Sequence, residues 1–470
     1  MKSRVKIVME INSICLSCKV KYKSVFKVLL YRFTPASESA ISESTNYKNQ
    51  GISMSAQIKV GDIVKTTIHT VAFGGDGVGR IDNMVVFVPF TIDGDVVDVK
   101  IREVKKNYLR GKIKSISSLS SKRVEPKCPY FSKCGGCQYQ HISYENQLQM
   151  KQRQIAESFE RIGKIASPPL KEIIPSPRIF NYRGKAEYHL DLSDMKHPRT
   201  GFMDIEGGTL VDIERCEIVD ESVNRAYRQF RKDLVSGKNA FQGDRCNFWS
   251  ESGGNKRYEN EGDSIEFKSI MRTVKGKELR VPSDGFFQAN TSLVDSLVEQ
   301  VIKMSDLTSS DVVVDCYCGS GLFSLFLSPR VRQVYGIEMD GEAVHCARFN
   351  FQNYHLSNTE VFGGRVEELL EKDYIRGKNV DVVLLDPPRI GCTKEVLDRI
   401  IEVKPNRVIY VSCNPATQAR DIRYLNDRGF SLLELQPIDM FPQTKHIEVI
   451  ASLSRVLRSN SLKPLHNVPF

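Results

Sequence analysis

The chain has 470 residues, 41% hydrophobic and 26% charged, with 67 Lys and Arg against 57 Asp and Glu. That is globular composition, and it excludes disordered and collagen-like chains. No apolar run approaches the ~20 residues of a membrane span, so no membrane partner is expected.

At roughly 150 residues per domain, the length suggests about three domains. The net charge of +10 is unevenly spread. Residues 1–54 carry nine Lys/Arg against three Glu, and residues 100–127 carry ten against two Glu. Such clusters suit a polyanionic partner, although a charge run is usually a solvated face. The 12 cysteines sit beside motifs rather than in a secreted disulfide framework. A reducing, cytoplasmic setting is therefore expected.

Residues 1–54 form a basic, Ser-rich extension. Lys6 and Glu10 break any signal-peptide core. The extension is expected to be disordered, a weak organelle-targeting segment or an upstream translation artefact, since Met54 precedes the first strongly patterned residues. Cys15 and Cys18 form a lone C-x-x-C with no second pair.

From Ile58 to Ile116 the hydrophobicity alternates with period two. Val85 to Phe90 and Asp95 to Ile101 read as strands, with Asp93-Gly94 as a hairpin turn. Five short strands predict a small barrel of the OB type. Lys105, Lys106, Arg110, Lys112 and Lys114 crowd its last strands. The pattern over 55–118 is similar to a TRAM domain, an RNA-binding barrel. A structural barrel with a solvated basic edge is the plainer alternative.

CPYFSKCGGC follows, with Cys128, Cys134 and Cys137. Three thiols within ten residues cannot all pair as disulfides. Close thiolates in a Gly-rich loop suit zinc or an iron–sulfur cluster. A fourth ligand is needed: Cys216, after a strand-like run, is the best candidate and Cys246 the rival. Gln138 to Arg161 is helical in period, and prolines then break the chain. This central region is taken as 119–285, with a β-like segment from Arg183 to Cys216.

The remaining chain, 286–455 before a tail at 456–470, reads as a doubly wound α/β domain. Val312 to Asp315 is a strand leading into Cys316-Tyr317-Cys318-Gly319-Ser320-Gly321 and a helix, Leu322 to Leu327. A second strand ends at Glu338, where an acid can hold two ribose hydroxyls. Ser324 stands where a dinucleotide site needs its third glycine, so S-adenosylmethionine fits better than NAD. A third strand runs from Thr359 to Phe362. A fourth, Val380 to Leu385, ends in Asp386-Pro387-Pro388-Arg389. A fifth, Arg407 to Val411, ends in Ser412-Cys413-Asn414-Pro415. Cys413 is thus placed over the ligand crevice, as a nucleophile or an inert core thiol, with Cys392 as the comparison. The last strand, His446 to Ile450, puts His446 and Glu448 on one face. A salt-bridged edge strand is the plainer reading of that pair.

DCYCGSG, LLDPPR, YVSCNPAT and PQTKHIEVIA, in this order, resemble the RNA uracil-5 methyltransferase family. So do FFQAN, CPYFSKCGGCQYQHISYENQL and VDIERCEI upstream. The resemblance spans roughly residues 55–455. It implies a TRAM barrel, a central α+β iron–sulfur domain and a class I Rossmann-like methyltransferase domain. By matching position it implies a [4Fe-4S] cluster on Cys128, Cys134, Cys137 and Cys216. It implies S-adenosyl-L-methionine contacts at Gln288, Tyr317, Glu338 and Asp386. It implies Cys413 as nucleophile and Glu448 as the proton-abstracting base. One departure is Gly363-Gly364-Arg365, where relatives carry an acid near the adenine.

The expected substrate is a uridine in RNA, with large-subunit ribosomal RNA favoured over transfer RNA. Uracil C5 is a poor nucleophile until a thiolate adds to C6. A base must then remove the C5 proton to free the enzyme. An RNA cytosine-5 methyltransferase is one rival. A non-catalytic RNA-binding iron–sulfur protein is another. An amino-group methyltransferase would carry an aromatic where Arg389 stands.

Overall fold

The computed structural model describes residues 58–456 apart from 195, 238–242, 251–256, 259–268, 372–374 and 376. The expectations for 1–54, including the Cys15–Cys18 pair, and for the tail after Val456 lie outside the described residues.

The chain begins with β1 (Ile63–Val71), β2 (Asp76–Ile81), β3 (Met84–Pro89), β4 (Val96–Val104) and β5 (Tyr108–Ser118). They close a barrel in the order β1-β2-β3-β5-β4. Alternate residues face inward, as the pleat requires. Val97, Val99 and Ile101 fill the barrel, while Lys100, Arg102, Lys112 and Lys114 between such positions are exposed. Asp93-Gly94 is a turn but not the expected hairpin, because β3 and β4 do not pair. β3 takes β5 as a parallel neighbour and β4 sits between β1 and β5. The turn is held instead by the buried Asp95 carboxylate, which accepts from Ile92 N at 2.8 Å, Ser120 N at 3.0 Å and the Arg123 guanidinium at 2.7 Å.

α1 (Tyr144–Arg161) starts six residues later than its periodicity suggested. Residues 138–143 form turns instead, with the Gln138 and Tyr139 amides donating to Gln443 O at 3.1 and 2.9 Å and Ser143 N to Lys122 O at 3.1 Å. Then come β6 (Lys185–Asp191), β7 (Arg199–Met203), β8 (Leu210–Asp212), α2 (Glu221–Val235), β9 (Arg245–Trp249) and β10 (Arg257–Tyr258). They form an antiparallel sheet, β10-β9-β6-β7-β8. α2 covers it through Tyr227, whose ring stacks on Tyr188 with centroids 3.8 Å apart. The hairpin β11 (Ser269–Val274) and β12 (Lys277–Pro282) leads to α3 (Val294–Ser305).

The last part is β13 (Val312–Cys316), α4 (Leu322–Leu327), β14 (Gln333–Glu338), α5 (Gly341–Asn353), β15 (Thr359–Gly363), α6 (Val366–Leu369) and β16 (Val382–Leu385). It ends with α7 (Lys394–Val403), β17 (Arg407–Ser412), α8 (Pro415–Asn426), β18 (Phe430–Ile438) and β19 (Glu448–Arg455). The sheet order is β15-β14-β13-β16-β17-β19-β18. The first five strands are parallel, and β19 runs antiparallel to β17 and to β18. Separate cores cover the two faces, which is why the parallel strands read as unbroken apolar runs. α8 starts where Pro415 fixes the first turn and the Asn414 side chain accepts from Ala416 N.

Two expectations about the last strand are corrected. It begins at Glu448, so His446 lies outside it. It is also no edge strand, because β18 lies outside it. Between β18 and β19 the chain makes a loop, 439–447, that packs against α1. Lys151 Nζ on α1 reaches Asp439 Oδ1 at 2.6 Å, with neither side chain exposed, and Phe441 O at 3.0 Å. Among the described residues no helix is long and apolar enough to cross a membrane. Lys151→Met should lower the unfolding free energy by about 3–5 kcal/mol, because it strands a buried carboxylate. Adding Asp439→Leu should recover most of that loss, as read from urea midpoints.

Candidate active site and cysteine centre

The glycine turn after β13 shapes a crevice at the carboxyl ends of the parallel strands. Tyr317, Gly319 and Gly321 all take left-handed φ, at +65°, +54° and +80°. A Cβ on Gly321 would stand 2.6 Å from Phe351, whereas one on Gly319 would meet nothing within 4 Å. Gly319 therefore offers open backbone to a ligand. Glu338 closes the turn, accepting from Gly319 N at 2.9 Å and from Met339 N and Asp340 N at 2.7 and 2.8 Å. Beneath it, the buried Asp315 accepts from Ser324 N and Oγ at 3.1 and 2.6 Å. Its other oxygen and Ser320 Oγ are buried with no partner. Burial lifts the Asp315 carboxyl to about 7. Orphan acceptors beside open glycine backbone suit a ligand rich in donors. S-adenosylmethionine brings an ammonium and ribose hydroxyls, so this donor set fits it.

The structure places the other expected contacts with differing closeness. Tyr317 is half-buried on the turn itself, and Asp386 is half-buried just past β16. Gln288 is 5% exposed, on the segment between β12 and α3. That segment is tied down by Gly184 N to Ala289 O at 2.9 Å and Lys185 Nζ to Gly285 O at 2.8 Å. Arg365, in place of the family's acid, pairs with Glu367 and with Glu368 at 3.8 Å.

The reactive groups gather at the next strands. Ser412 on β17 pairs with Val449 on β19. The antiparallel register therefore sets Cys413 opposite Glu448. Cys413 is half-buried, and Glu448 is 4% exposed. Arg389, which the motif contained but sequence reasoning gave no role, completes the group. Its positive charge acts on the Cys413 thiol, and its guanidinium contacts the His446 ring, with Nε2 at 2.9 Å. Its carbonyl is held by Asn414 Nδ2 at 3.1 Å and Thr417 Oγ1 at 3.2 Å. The one available signal was a cation after Asp-Pro-Pro at a strand's carboxyl end.

The charges oppose one another. Burial, then the Glu448 charge, pushes the Cys413 thiol up to about 11, and Arg389 pulls it back. Burial and the Asp386 charge hold Glu448 well above the usual carboxylate range, again against Arg389. Asp386 rises to about 7 through burial and the charge of Asp315. Burial and the Arg389 charge press His446 down to about 3, so its ring is neutral. Cys392 is 5% exposed, its amide donates to Asp421 at 2.8 Å, and burial pushes its thiol up. It has the surroundings of a core thiol.

Cys128, Cys134, Cys137 and Cys216 line one cavity of about 390 Å³. Burial raises all four thiols, and each feels the charge of at least one other or of Glu217. Gln140 Oε1 accepts from Cys128 N at 3.0 Å, and Asn224 Oδ1 from Cys216 N at 3.0 Å. The rival Cys246 is 3% exposed in the core with Tyr188 and Phe248 and does not line the cavity. None of the ten described cysteines forms a disulfide. Among the described residues no three ligand side chains converge closely enough for a single ion.

Residues 263–456 match the family model described as tRNA (Uracil-5-)-methyltransferase, and residues 57–114 match the TRAM domain. An uncharacterized RNA methyltransferase of Halalkalibacterium halodurans is 31% identical over 450 residues, 85% of this chain and 98% of its own length. One of Nostoc sp. is 33% identical over 446 residues, 84% of this chain and 96% of its own length. The solved Pyrococcus abyssi tRNA (uracil-54, C5)-methyltransferase, in complex with S-adenosyl-L-homocysteine, has a TM-score of 0.64 and 23% identity. That match covers 83% of this chain and 100% of the Pyrococcus chain, and it shows a shared fold.

Alkylation of Cys413 by iodoacetamide should keep rising with pH beyond the ordinary thiol value of 9.0, with a midpoint near 11. Arg389→Met removes the stabilising cation and should move that midpoint higher still. Mass spectrometry of the Cys413 peptide across pH reads both; a midpoint that stays put would remove Arg389 from the thiol's environment.

Proposed function

This chain belongs to the S-adenosylmethionine-dependent RNA uracil-5 methyltransferase family, and from that premise we propose that it methylates C5 of a uridine through a covalent bond to Cys413. The observation that carries this is that Cys413 lies one residue past the last β17–β19 pair, Ser412 with Val449, within electrostatic reach of Glu448, Arg389 and Asp386. S-adenosylmethionine supplies an electrophilic methyl group on a sulfonium. The Cys413 thiolate, stabilised by the Arg389 guanidinium, adds to uracil C6 and makes C5 a nucleophile. C5 forms its new bond to the methyl carbon as that carbon's bond to sulfur breaks, and the donor leaves as the neutral thioether S-adenosylhomocysteine. Glu448 then takes the C5 proton, the C5–H electron pair restores the C5–C6 double bond, and the Cys413 thiolate leaves. Burial makes Glu448 a stronger base than an exposed carboxylate, which suits that second step. Asp386, Glu338, Tyr317 and Gln288 hold the methyl donor in this account.

The uridine must leave its stack to reach Cys413. The barrel supports RNA binding: Lys106, Lys112 and Lys114 are exposed, and Arg110 lies over the rings of Phe87 and Tyr108. We place the substrate in large-subunit ribosomal RNA, on the combination of barrel and cysteine centre. Transfer RNA is the second candidate, because the matched family model and the Pyrococcus enzyme are both named for it. We assign a [4Fe-4S] cluster to Cys128, Cys134, Cys137 and Cys216. It would tie the Gly-rich loop to the Cys216 segment, in a reducing cytoplasm where thiols stay free.

Methyl-labelled donor supplied with unmodified ribosomal or transfer RNA, followed by nucleoside mass spectrometry, should yield 5-methyluridine in the ribosomal pool. Label in transfer RNA would move the substrate, and 5-methylcytidine would move the base. Cys413→Ala should abolish methyl transfer and any adduct with 5-fluorouridine RNA. Glu448→Gln should trap an enzyme–RNA adduct. Iron and sulfide analysis after anaerobic purification should show the cluster lost in Cys216→Ser and kept in Cys246→Ser; the reverse pattern would reassign the fourth ligand.

A further inference from the structure

Glu448 stands five residues after Gln443, and Gln443 has an unusual backbone. Its φ is +67°, left-handed for a residue with a side chain, and it is 3% exposed. Such a conformation persists only where the surroundings over-determine it. Here the surroundings come from α1. Gln147 is fully buried, and its amide grips Gln443 twice. Gln147 Oε1 accepts from Gln443 N at 3.0 Å, and Gln147 Nε2 donates to Gln443 Oε1 at 2.9 Å. The same Nε2 reaches Tyr139 O at 3.1 Å and Ile142 O at 2.9 Å.

The cysteine loop completes the knot. Gln443 O accepts from Gln138 N and Tyr139 N at 3.1 and 2.9 Å. Gln138 Oε1 accepts from Lys445 N at 3.2 Å, while its Nε2 donates to Gly135 O at 2.8 Å, between Cys134 and Cys137. Among the described residues no hydrogen bond joins Cys413 to this knot. Cys413 is placed by the β16–β17 ladder and the Asn414 cap. Glu448, the first residue of β19, is placed on one side by its pairing with Ile438 of β18 and reached on the other from the loop.

We propose that Gln147 and Gln443 are positioning residues for Glu448, so that the knot governs release of the methylated base more than its methylation. This rests on Glu448 being the base of the reaction proposed above. A loosened knot leaves the thiol in place and moves the carboxylate away from the C5 proton.

Alanine and glycine at position 443 separate strain from side-chain loss. Both lack the Gln443 amide, but only glycine takes left-handed φ freely. In single turnovers with methyl-labelled donor and in vitro transcribed ribosomal or transfer RNA, quenched samples resolve labelled protein–RNA adduct from released RNA. Gln147→Leu and Gln443→Ala should accumulate adduct and release about tenfold more slowly than wild type, with adduct formation changed less than about twofold. Gln443→Gly should release about tenfold faster than Gln443→Ala, and adding Gln443→Gly to Gln147→Leu should recover release. In the free protein, amides 443–447 should exchange hydrogen faster in Gln147→Leu, with barrel amides unchanged.

Equal release by the alanine and glycine variants would overturn the proposal, as would unchanged exchange at 443–447. So would parallel loss of adduct formation and release together with thermal stability. If Gln147→Leu does not fold, the two position-443 variants decide alone. Adduct accumulation in Glu448→Gln but not in Gln147→Leu or Gln443→Ala would sink the positioning role and leave the base intact. Normal release by Glu448→Gln would remove the base and this inference with it.

Discussion

A lysine and an aspartate with no exposure to solvent hold α1 to the loop that precedes β19. Each is costly to bury alone, so each fixes the other. That pair and the glutamine knot beside it commit residues 439–447 to one path. The loop delivers Glu448 to the start of β19, where the antiparallel register carries it alongside Cys413. Tyr182 adds a further tie, its hydroxyl donating to Pro442 O at 3.0 Å. The cysteine loop, α1 and the end of the catalytic sheet therefore share one rigid contact.

The chemistry sits on a conflict of charges that this frame sustains. Beyond burial, the Glu448 and Asp386 charges both raise the Cys413 thiol, Asp386 raises Glu448, and Arg389 opposes the shifts of Cys413 and Glu448. Without substrate the balance favours protonated acids and a protonated thiol. In the reaction proposed above, Glu448 must first lose its proton, and its raised pKa then makes the carboxylate a stronger base for the C5 proton. His446 stays neutral against Arg389 and adds no competing charge. Cys392 shows the contrast: a thiol at a similar chain position, but enclosed by core and bonded through its amide to Asp421.

Much of the fold was legible because its signals are local. Period-two alternation revealed the barrel strands. The apolar run Val312–Asp315, the glycine turn and the helix Leu322–Leu327 all carry their cause in adjacent residues. The misplacements came from contacts distant in sequence. The helical reading extended back to Gln138, but the Gln138 and Tyr139 amides bond to Gln443 O and the Ser143 amide to Lys122 O. Asp93-Gly94 has hairpin chemistry, but barrel closure puts β5 where its partner strand would lie. His446 alternates with Glu448, yet the strand begins only where β18 can pair.

The candidate site divides the same way. Sequence by itself determined the residue types: a thiol after the fifth parallel strand, an acid after the fourth, and a glycine turn after the first. Backbone conformation and strand ends follow from neighbours, and open α/β sheets place function at those ends. Only the tertiary structure decided which acids face the thiol, that Arg389 is the cation among them, and that Cys216 rather than Cys246 lines the cysteine cavity. Those outcomes depend on strand register and on side chains hundreds of positions apart, such as Gln147 and Gln443. Burial sets their charge states, and burial is a property of the folded whole.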